Sequence, residues 1–149
     1  MGFEQISLKG RALRLLAGRE HSRAELQTKL ASYEQEPGEL QRALDELQAK
    51  GFISEQRVVE SVIHRRAARL GAGRVKQELQ AKGVSAEAIA EAVDRLQGSE
   101  TERAREVWRK KFGEPAADPA GRARQMRFLA ARGFGAEAIR RVVRGADDD

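Results

Sequence analysis

The sequence predicts an all-α protein made of three tandem three-helix repeats of about 50 residues, which form an elongated, curved array. Apolar residues recur at helical spacing, as at Leu40, Leu44 and Leu47, and no segment alternates apolar and polar residues as a strand does. Signals for helix starts and helix ends follow one another along the chain. In addition, a twenty-residue segment recurs 50 positions later.

Capping residues, prolines and glycines mark the predicted helix boundaries. The expected starts are capping boxes at Ser22 with Glu25 and at Ser99 with Glu102, and prolines at the first helical position at Pro37 and Pro119. The expected ends are Gly18, Gly51, Gly71, Gly83, Gly113, Gly133 and Gly145. Glycine suits these positions because the left-handed conformation that commonly follows a helix costs it little.

The hexapeptide ELQAKG occurs twice, at 46–51 and 78–83. Its pattern is typical of a helix end, with lysine in the last turn and glycine directly after the helix. The next residue, Phe52 or Val84, is expected to fold back onto the helix as the apolar contact of a Schellman-type cap. The identity of the two copies therefore indicates a shared helix ending, and the distance between them is not the period of the repeat.

A longer comparison gives the period. Residues 74–93 and 124–143 are identical at nine of twenty positions without a gap, and the first third of the chain joins at an offset of 49 through its apolar pattern. We therefore divide the chain into a first unit at 1–53, a second unit at 54–98 and a third unit at 99–149. The predicted helices lie near 7–18, 22–33 and 37–50, near 54–70, 73–82 and 85–97, and near 100–112, 119–132 and 136–144. Units this small bury little surface alone, so we expect them to pack against their neighbours.

Composition excludes several classes of protein. The chain has no cysteine, no apolar run long enough to span a membrane and no signal peptide, so we expect a cytoplasmic protein without disulfides or membrane contact. The only histidines, His21 and His64, are expected to be solvated and structural, because neither has a convergent partner. No nucleophile and base pair stands out. We therefore expect neither enzymatic activity nor a bound metal or cofactor.

The glycine-rich segment GAG at 71–73 has two interpretations. It could present backbone amides to a phosphate at a helix start. It lacks the lysine and the preceding strand of a phosphate-binding loop, so a helix-breaking connection is favoured.

Positive charge is concentrated in the second and third units. The net charge is zero for residues 1–53, +4 for 54–82, −3 for 83–100 and +7 for 101–144, and Asp147 to Asp149 end the chain. No acid lies between Glu60 and Glu78, or from Arg122 to Arg132, whereas an ordinary solvated helix interleaves both signs. The candidate binding residues are Arg65, Arg66, Arg69, Arg74, Lys76, Lys82, Arg109, Lys110, Lys111, Arg122, Arg124, Arg127 and Arg132. A solvated arginine-rich face without a ligand remains the alternative, and Arg66 also lies close enough to the apolar stripe to lay its stem along the core.

Several stretches together resemble the RecX family of bacterial recombination regulators. They are ALRLLAGREHSRAEL at 12–26, KGFISEQRV at 50–58, ARLGAGRVKQELQAKGV at 68–84, WRKKFG from 108 and RARQMRFLAARGF from 122. The resemblance spans essentially the whole chain. One departure is Ser54 with Glu55, where the family usually has two acids, and the acidic C-terminal tail is a second feature peculiar to this chain.

The resemblance implies a curved, helical protein that binds RecA filaments on DNA by occupying the groove or capping the end, and we expect a monomer. It implies inhibition of RecA's ATP hydrolysis, coprotease activity and strand exchange, and so modulation of homologous recombination, DNA repair and the SOS response. Capping, groove occupancy and active disassembly remain open at this point. The alternative function is weak, sequence-non-specific binding to single- or double-stranded DNA, since asparagine, a common base-reading residue, is absent. A helical scaffold for another protein is a third interpretation.

Overall fold

The structure, a computed structural model, describes residues 6–144. This part of the chain contains nine α-helices and one turn of 3₁₀ helix at Ala31–Tyr33. The helices are α1 (Leu8–Gly18), α2 (Arg23–Leu30), α3 (Glu39–Ala49), α4 (Glu55–Arg66), α5 (Ala72–Ala81), α6 (Ala86–Gln97), α7 (Glu100–Lys111), α8 (Pro119–Ala131) and α9 (Ala136–Arg144). The all-α, three-by-three organisation that the sequence predicts is therefore confirmed. Among residues 6–144, none of these helices is long and apolar enough to cross a bilayer.

Each group of three helices encloses a core of its own. Leu26 and Leu44 are fully buried in the first, Val75 and Leu79 in the second, and Leu129 in the third. Leu26 and Val75 are related by the offset of 49 that the sequence shows, and Leu79 and Leu129 by the offset of 50. The repeat is therefore a repeat of core positions, with aliphatic side chains filling equivalent sites.

Three helices end in the same way. The glycines that follow α3, α5 and α8 have positive φ angles of 84°, 75° and 91° and are Gly51, Gly83 and Gly133. In each case the next amide donates to a leucine carbonyl five residues back, the bond that defines a Schellman motif. Val84 is buried beside its helix, as predicted, and Phe134 is buried at the equivalent position after α8. Phe52 is not, because it is 46% exposed, and Ile53 is buried in its place.

Several boundary predictions are wrong. Pro37 precedes α3 by two residues, and Gly38, in the left-handed region, occupies the N-cap position. Ser99 is the N-cap of α7 but makes no capping hydrogen bond, because its hydroxyl instead accepts from Nε of Arg103 at 2.9 Å. Helix α4 stops at Arg66, four residues early. The capping box at Ser22 and the proline start at Asp118–Pro119 are confirmed.

The first and second units meet where the start of α2 lies against the end of α5. The hydroxyl of Ser22 donates to the carbonyl of Lys82 at 2.5 Å, and the ammonium of Lys82 lies 3.4 Å from the carboxylate of Glu25. Both of these charged side chains are only 15% exposed. The Lys82 charge therefore stabilises the contact between the two units.

The second and third units meet in the same way, with the start of α5 against the end of α8. The amides of Gly71 and Gly73 donate to the carbonyls of Arg132 and Gly133 at 2.8 Å and 3.0 Å. The amide of Ala72 between them donates to the carboxylate of Glu100 at 2.8 Å. The GAG segment is therefore a connection, as favoured, and all three of its amides have protein acceptors.

Helix α5 thus carries one contact at each end. Its ten residues, at about 1.5 Å of rise per residue, separate the two contacts by about 15 Å. The second unit therefore lies between the other two, and the three units form an elongated array.

Arg103 of α7 ties the third unit to the end of α4. Its guanidinium donates to the carbonyls of Ala67 and Leu70 at 2.8 Å and of Leu96 at 2.9 Å. The side chain is only 14% exposed, and burial lowers the pKa of Arg103, an effect that Glu100 opposes. Ala67 and Leu70 follow the end of α4 and Leu96 lies in the last turn of α6, so one side chain satisfies carbonyls at the ends of two helices.

Arg103→Met is expected to lower the free energy of unfolding by about 2 kcal/mol, because it removes the donor that Arg103 supplies to the partly buried carbonyls of Ala67 and Leu70. Urea unfolding followed by circular dichroism measures the change. Arg105→Met is the matched control, since Arg105 is exposed on the same helix. Equal effects of the two substitutions would contradict a structural role for the Arg103 guanidinium.

Candidate functional site

The candidate cations near the end of α4 are partly neutralised. Glu78 of α5 reaches back to accept from Nε of Arg66 at 2.9 Å and from a terminal nitrogen of Arg65 at 3.4 Å. The absence of acids between Glu60 and Glu78 in the sequence therefore did not mean that these arginines lack a partner. The compensating negative charge comes from a carboxylate on the neighbouring helix α5 and not from α4 itself.

Two further candidates hold units together. Lys82 is paired with Glu25 across the first contact, and the guanidinium of Arg74 donates to the carbonyl of Ala131 at 2.8 Å across the second. Both side chains are therefore already engaged within the protein.

On α7, Glu106 accepts two hydrogen bonds from Arg109, at 2.6 Å and 3.1 Å, and lies 3.8 Å from the ammonium of Lys110. The hydrogen bond from Arg109 is the main cause of the lowered pKa of Glu106. All three side chains are exposed, so these pairs contribute little stability and remain open to a competing anion.

Two candidates lie over one aromatic ring. The ammonium of Lys111 and the guanidinium of Arg132 are 5.4 Å and 4.8 Å from the centroid of Phe128. Phe112 contacts the same ring edge-on at 5.4 Å between centroids. The aromatic face attracts both cations without neutralising them.

Within residues 6–144, the remaining five candidates have no ion pair, hydrogen-bond acceptor or aromatic ring contact for their charged groups. They are Arg69, Lys76, Arg122, Arg124 and Arg127, all exposed. Arg124 and Arg127 are three residues apart on α8 and so share a face, where like charges are mildly destabilising. Exposed Arg105 has the same character, and sequence reasoning missed it because acids surround it along the chain.

The two histidines differ. His64 is exposed on α4, as predicted, but His21 is 2% exposed, so the expectation of a solvated side chain is wrong for His21. Its Nδ1 lies 3.1 Å from the carbonyl of Arg19 and its Nε2 lies 3.2 Å from the ammonium of Lys29. Burial is the largest cause of its lowered pKa.

Glu25, at the contact between the first and second units, also titrates abnormally. Burial opposes its ionisation, but hydrogen bonds from Arg19 and from the amide of Ser22, together with the charge of Lys82, lower the pKa of Glu25 from 4.5 to about 2. The ionised carboxylate is therefore strongly preferred in the folded protein.

Acidification from pH 4.5 towards 2 is expected to remove the stability that Glu25 contributes. In that range the unfolded chain binds a proton at this position and the folded protein does not, so unfolding is increasingly favoured as pH falls. The lowered pKa of His21 has the same effect on stability below pH 6.5, because there the unfolded chain binds a proton at His21 more readily than the folded protein does. Glu25→Gln, which keeps the capping box, should flatten the dependence of the urea midpoint on pH between 4.5 and 2. Superimposable wild-type and variant profiles would refute this role.

The departure from the expected acidic pair also has a structural account. Ser54 is the N-cap of α4, and its hydroxyl accepts from the amide of Arg57 at 3.2 Å. Glu55 accepts from the amide of Ser85 at 2.6 Å. Serine performs the capping that an aspartate would perform. The acidic tail at 147–149 lies outside the described residues.

Family comparisons match the chain in three consecutive segments. The first, second and third three-helix domains of RecX match residues 9–47, 54–93 and 99–143. The chain belongs to the RecX family. These segments fall within the three units of the sequence analysis, whose exact boundaries at 53 and 98 stay predictions.

Relatives of this RecX-family protein match over nearly the whole length. The chain is 54% identical to regulatory protein RecX of Leptothrix cholodnii over 97% of this chain and 92% of that protein. It is 48% identical to regulatory protein RecX of Herminiimonas arsenicoxydans over 97% and 96%. A regulatory role is therefore supported by the family.

Solved structures support the fold. The crystal structure of RecX from Lactobacillus salivarius matches with a TM-score of 0.78 at 18% identity, covering 95% of this chain and 96% of that chain. A second crystal structure, of a regulatory protein RecX, matches with a TM-score of 0.75 at 17% identity, covering 93% and 72%. At this level of identity the likeness concerns the fold alone.

Proposed function

We propose that this protein is a negative regulator of the RecA recombinase. It binds RecA filaments assembled on DNA, in the groove or at the end, and inhibits ATP hydrolysis, coprotease activity and strand exchange. It thereby modulates recombinational DNA repair and the SOS response. The proposal involves no catalytic step, cofactor or metal in this protein.

The observation that carries the proposal is the set of exposed cations without acidic partners. Arg69, Lys76, Arg122, Arg124 and Arg127 belong to the second and third units, and the last three lie within six residues of α8, whereas the exposed Arg14 and Arg42 of the first unit lie on separate helices. Stability does not explain this arrangement, because the like-charged pair on α8 is unfavourable by a few tenths of a kcal/mol. A polyanionic partner does explain it, since each cation gains an interaction only when the partner is bound.

The elongated array distributes these positive charges along one direction. Three units joined through contacts at both ends of α5 present their surfaces along one direction, as a repeating filament requires. A filament on DNA offers recurring negative charge along its axis, so cations of the second and third units can interact with it over a long distance. Binding of this kind inhibits by occupying a surface.

The test is the rate of RecA ATP hydrolysis on single-stranded DNA with this protein at substoichiometric amounts. Inhibition that persists when DNA is in excess places the action on the filament, as proposed. Inhibition that disappears with excess DNA indicates competition for the strand, and the protein is then a non-specific DNA-binding protein. If the protein has no effect on RecA, both the filament regulator and the DNA-binding protein are rejected. The remaining interpretation is then a helical scaffold for another protein.

A further inference from the structure

A cationic cleft opens at the contact between the second and third units. It has a volume of about 290 Å³ and lies between the turn after α4 and the helices α7 and α8. Its charged lining residues are Arg69, Lys110, Lys111, Arg132 and Glu106, and its apolar wall includes Val107 and Phe128. We infer that this cleft is a phosphate-binding site, which takes a phosphate group of a nucleic acid strand or of a free nucleotide.

The charge of the cleft is strongly unbalanced. Four cations face one carboxylate, and that carboxylate, Glu106, already accepts two hydrogen bonds from Arg109, which does not line the cleft. Lys110 is the only lining cation within ion-pairing distance of Glu106 among residues 6–144, at 3.8 Å. Arg69, Lys111 and Arg132 therefore place three uncompensated positive charges around one concave space.

Two of the four cations, Lys111 and Arg132, are held in position before any ligand binds. The ring of Phe128 lies under Lys111 and Arg132, and Phe112 fixes the orientation of the ring by its edge-on contact. The backbone of Arg132 is fixed separately, because its carbonyl accepts from the amide of Gly71. Preorganised cations lose less conformational entropy when an anion arrives, which favours binding.

The chemistry of the lining selects phosphate. Two guanidinium groups provide planar paired donors and two ammonium groups provide point charges, a combination that matches a group with several oxygens and more than one negative charge. The volume is close to the lower end of the range for small-molecule sites, so the cleft fits a phosphate with its adjoining sugar. The GAG segment at the same contact cannot bind the phosphate through its backbone amides, because these amides already donate to acceptors within the protein.

The inference rests on the proposed function for the biological source of the phosphate. Its test contains no recombinase, so its outcome is separate from that of the ATP hydrolysis assay. A protein that binds phosphate here but does not affect RecA would overturn only the proposed function. A protein that inhibits RecA without binding phosphate here would overturn only this inference.

The experiment measures binding of a fluorescent ten-nucleotide oligothymidylate by anisotropy and of inorganic tripolyphosphate by calorimetry, both on the full chain. Lys111→Gln/Arg132→Gln is compared with Arg14→Gln/Arg42→Gln. The control removes the same charge from exposed arginines of the first unit. Circular dichroism verifies that both variants are folded.

We expect the cleft variant to bind at least one of the two probes about tenfold more weakly, and the control to change binding less than about twofold. For the oligonucleotide, the slope of log affinity against log salt should become shallower by about 1.4, at about 0.7 for each lost contact on a single strand. If only the binding of tripolyphosphate is weakened, the phosphate group that the cleft binds comes from a free nucleotide. If binding of the oligonucleotide is weakened, the phosphate group comes from a nucleic acid strand. Equal losses in both variants, or no binding of either probe by the wild type, would overturn the inference.

Discussion

Gly133→Ala is expected to lower the free energy of unfolding by about 3 kcal/mol, one of the two largest effects we predict. Gly133 has a φ of 91°, and an alanine there costs about 1–2 kcal/mol in the left-handed conformation. A Cβ atom would also overlap the backbone and side chain of Arg74, and overpacking of this kind costs about 1–3 kcal/mol. Relief requires α5 and α8 to separate, which breaks the hydrogen bonds of Gly71 and Gly73.

Gly51→Ala is the matched control. Gly51 follows α3 in the same Schellman geometry with a φ of 84°, but a Cβ there meets no other atom within 4 Å. Gly51→Ala should therefore lower the free energy of unfolding only by the cost of placing alanine in the left-handed conformation, about 1–2 kcal/mol. Urea unfolding of both variants separates the steric effect from the conformational one. Equal destabilisation would show that the close approach of the second and third units does not limit stability.

The triple charge reversal Arg122→Glu, Arg124→Glu and Arg127→Glu is expected to raise the concentration needed for half-inhibition of RecA by at least about tenfold. The three side chains are exposed and unpaired within residues 6–144, so their replacement should leave helicity and stability nearly unchanged. The change replaces attraction to a negative partner by repulsion. Inhibition is measured by ATP hydrolysis and helicity by circular dichroism.

A charge-matched comparison separates position from net charge. Arg124→Glu/Arg127→Glu and Arg14→Glu/Arg42→Glu change the net charge equally, the first pair on α8 and the second pair in the first unit. Only the first should weaken inhibition substantially. Retained full inhibition by the triple variant would mean that α8 does not carry the contact with the filament.

Local signals account for most of the fold that the sequence predicts. Helix periodicity, the capping box at Ser22 and the glycines after α3, α5 and α8 act within one or two turns, so the sequence carries them directly. The failures at Pro37 and Ser99 are also local. In both cases a neighbouring residue replaces the predicted interaction. Gly38 occupies the N-cap position of α3, and Arg103 donates to the Ser99 hydroxyl that was expected to cap α7.

The contacts between units could not be predicted, because they join residues distant along the chain. The hydroxyl of Ser22, for example, donates to the carbonyl of Lys82, which lies 60 positions further along the chain. For the candidate site, the sequence located the basic units but not the pairing of individual cations. Glu78 lies on a different helix from Arg65 and Arg66, and Phe128 lies on a different helix from Lys111.

Preferential binding to the filament is the central claim, and cosedimentation tests it most directly. Wild-type protein is mixed either with RecA filaments formed on single-stranded DNA with a slowly hydrolysed ATP analogue, or with the same concentration of bare DNA. We expect the protein to sediment with the filaments at concentrations at which bare DNA retains little of it, and the triple variant to remain in solution. Equal or stronger binding to bare DNA would contradict the account.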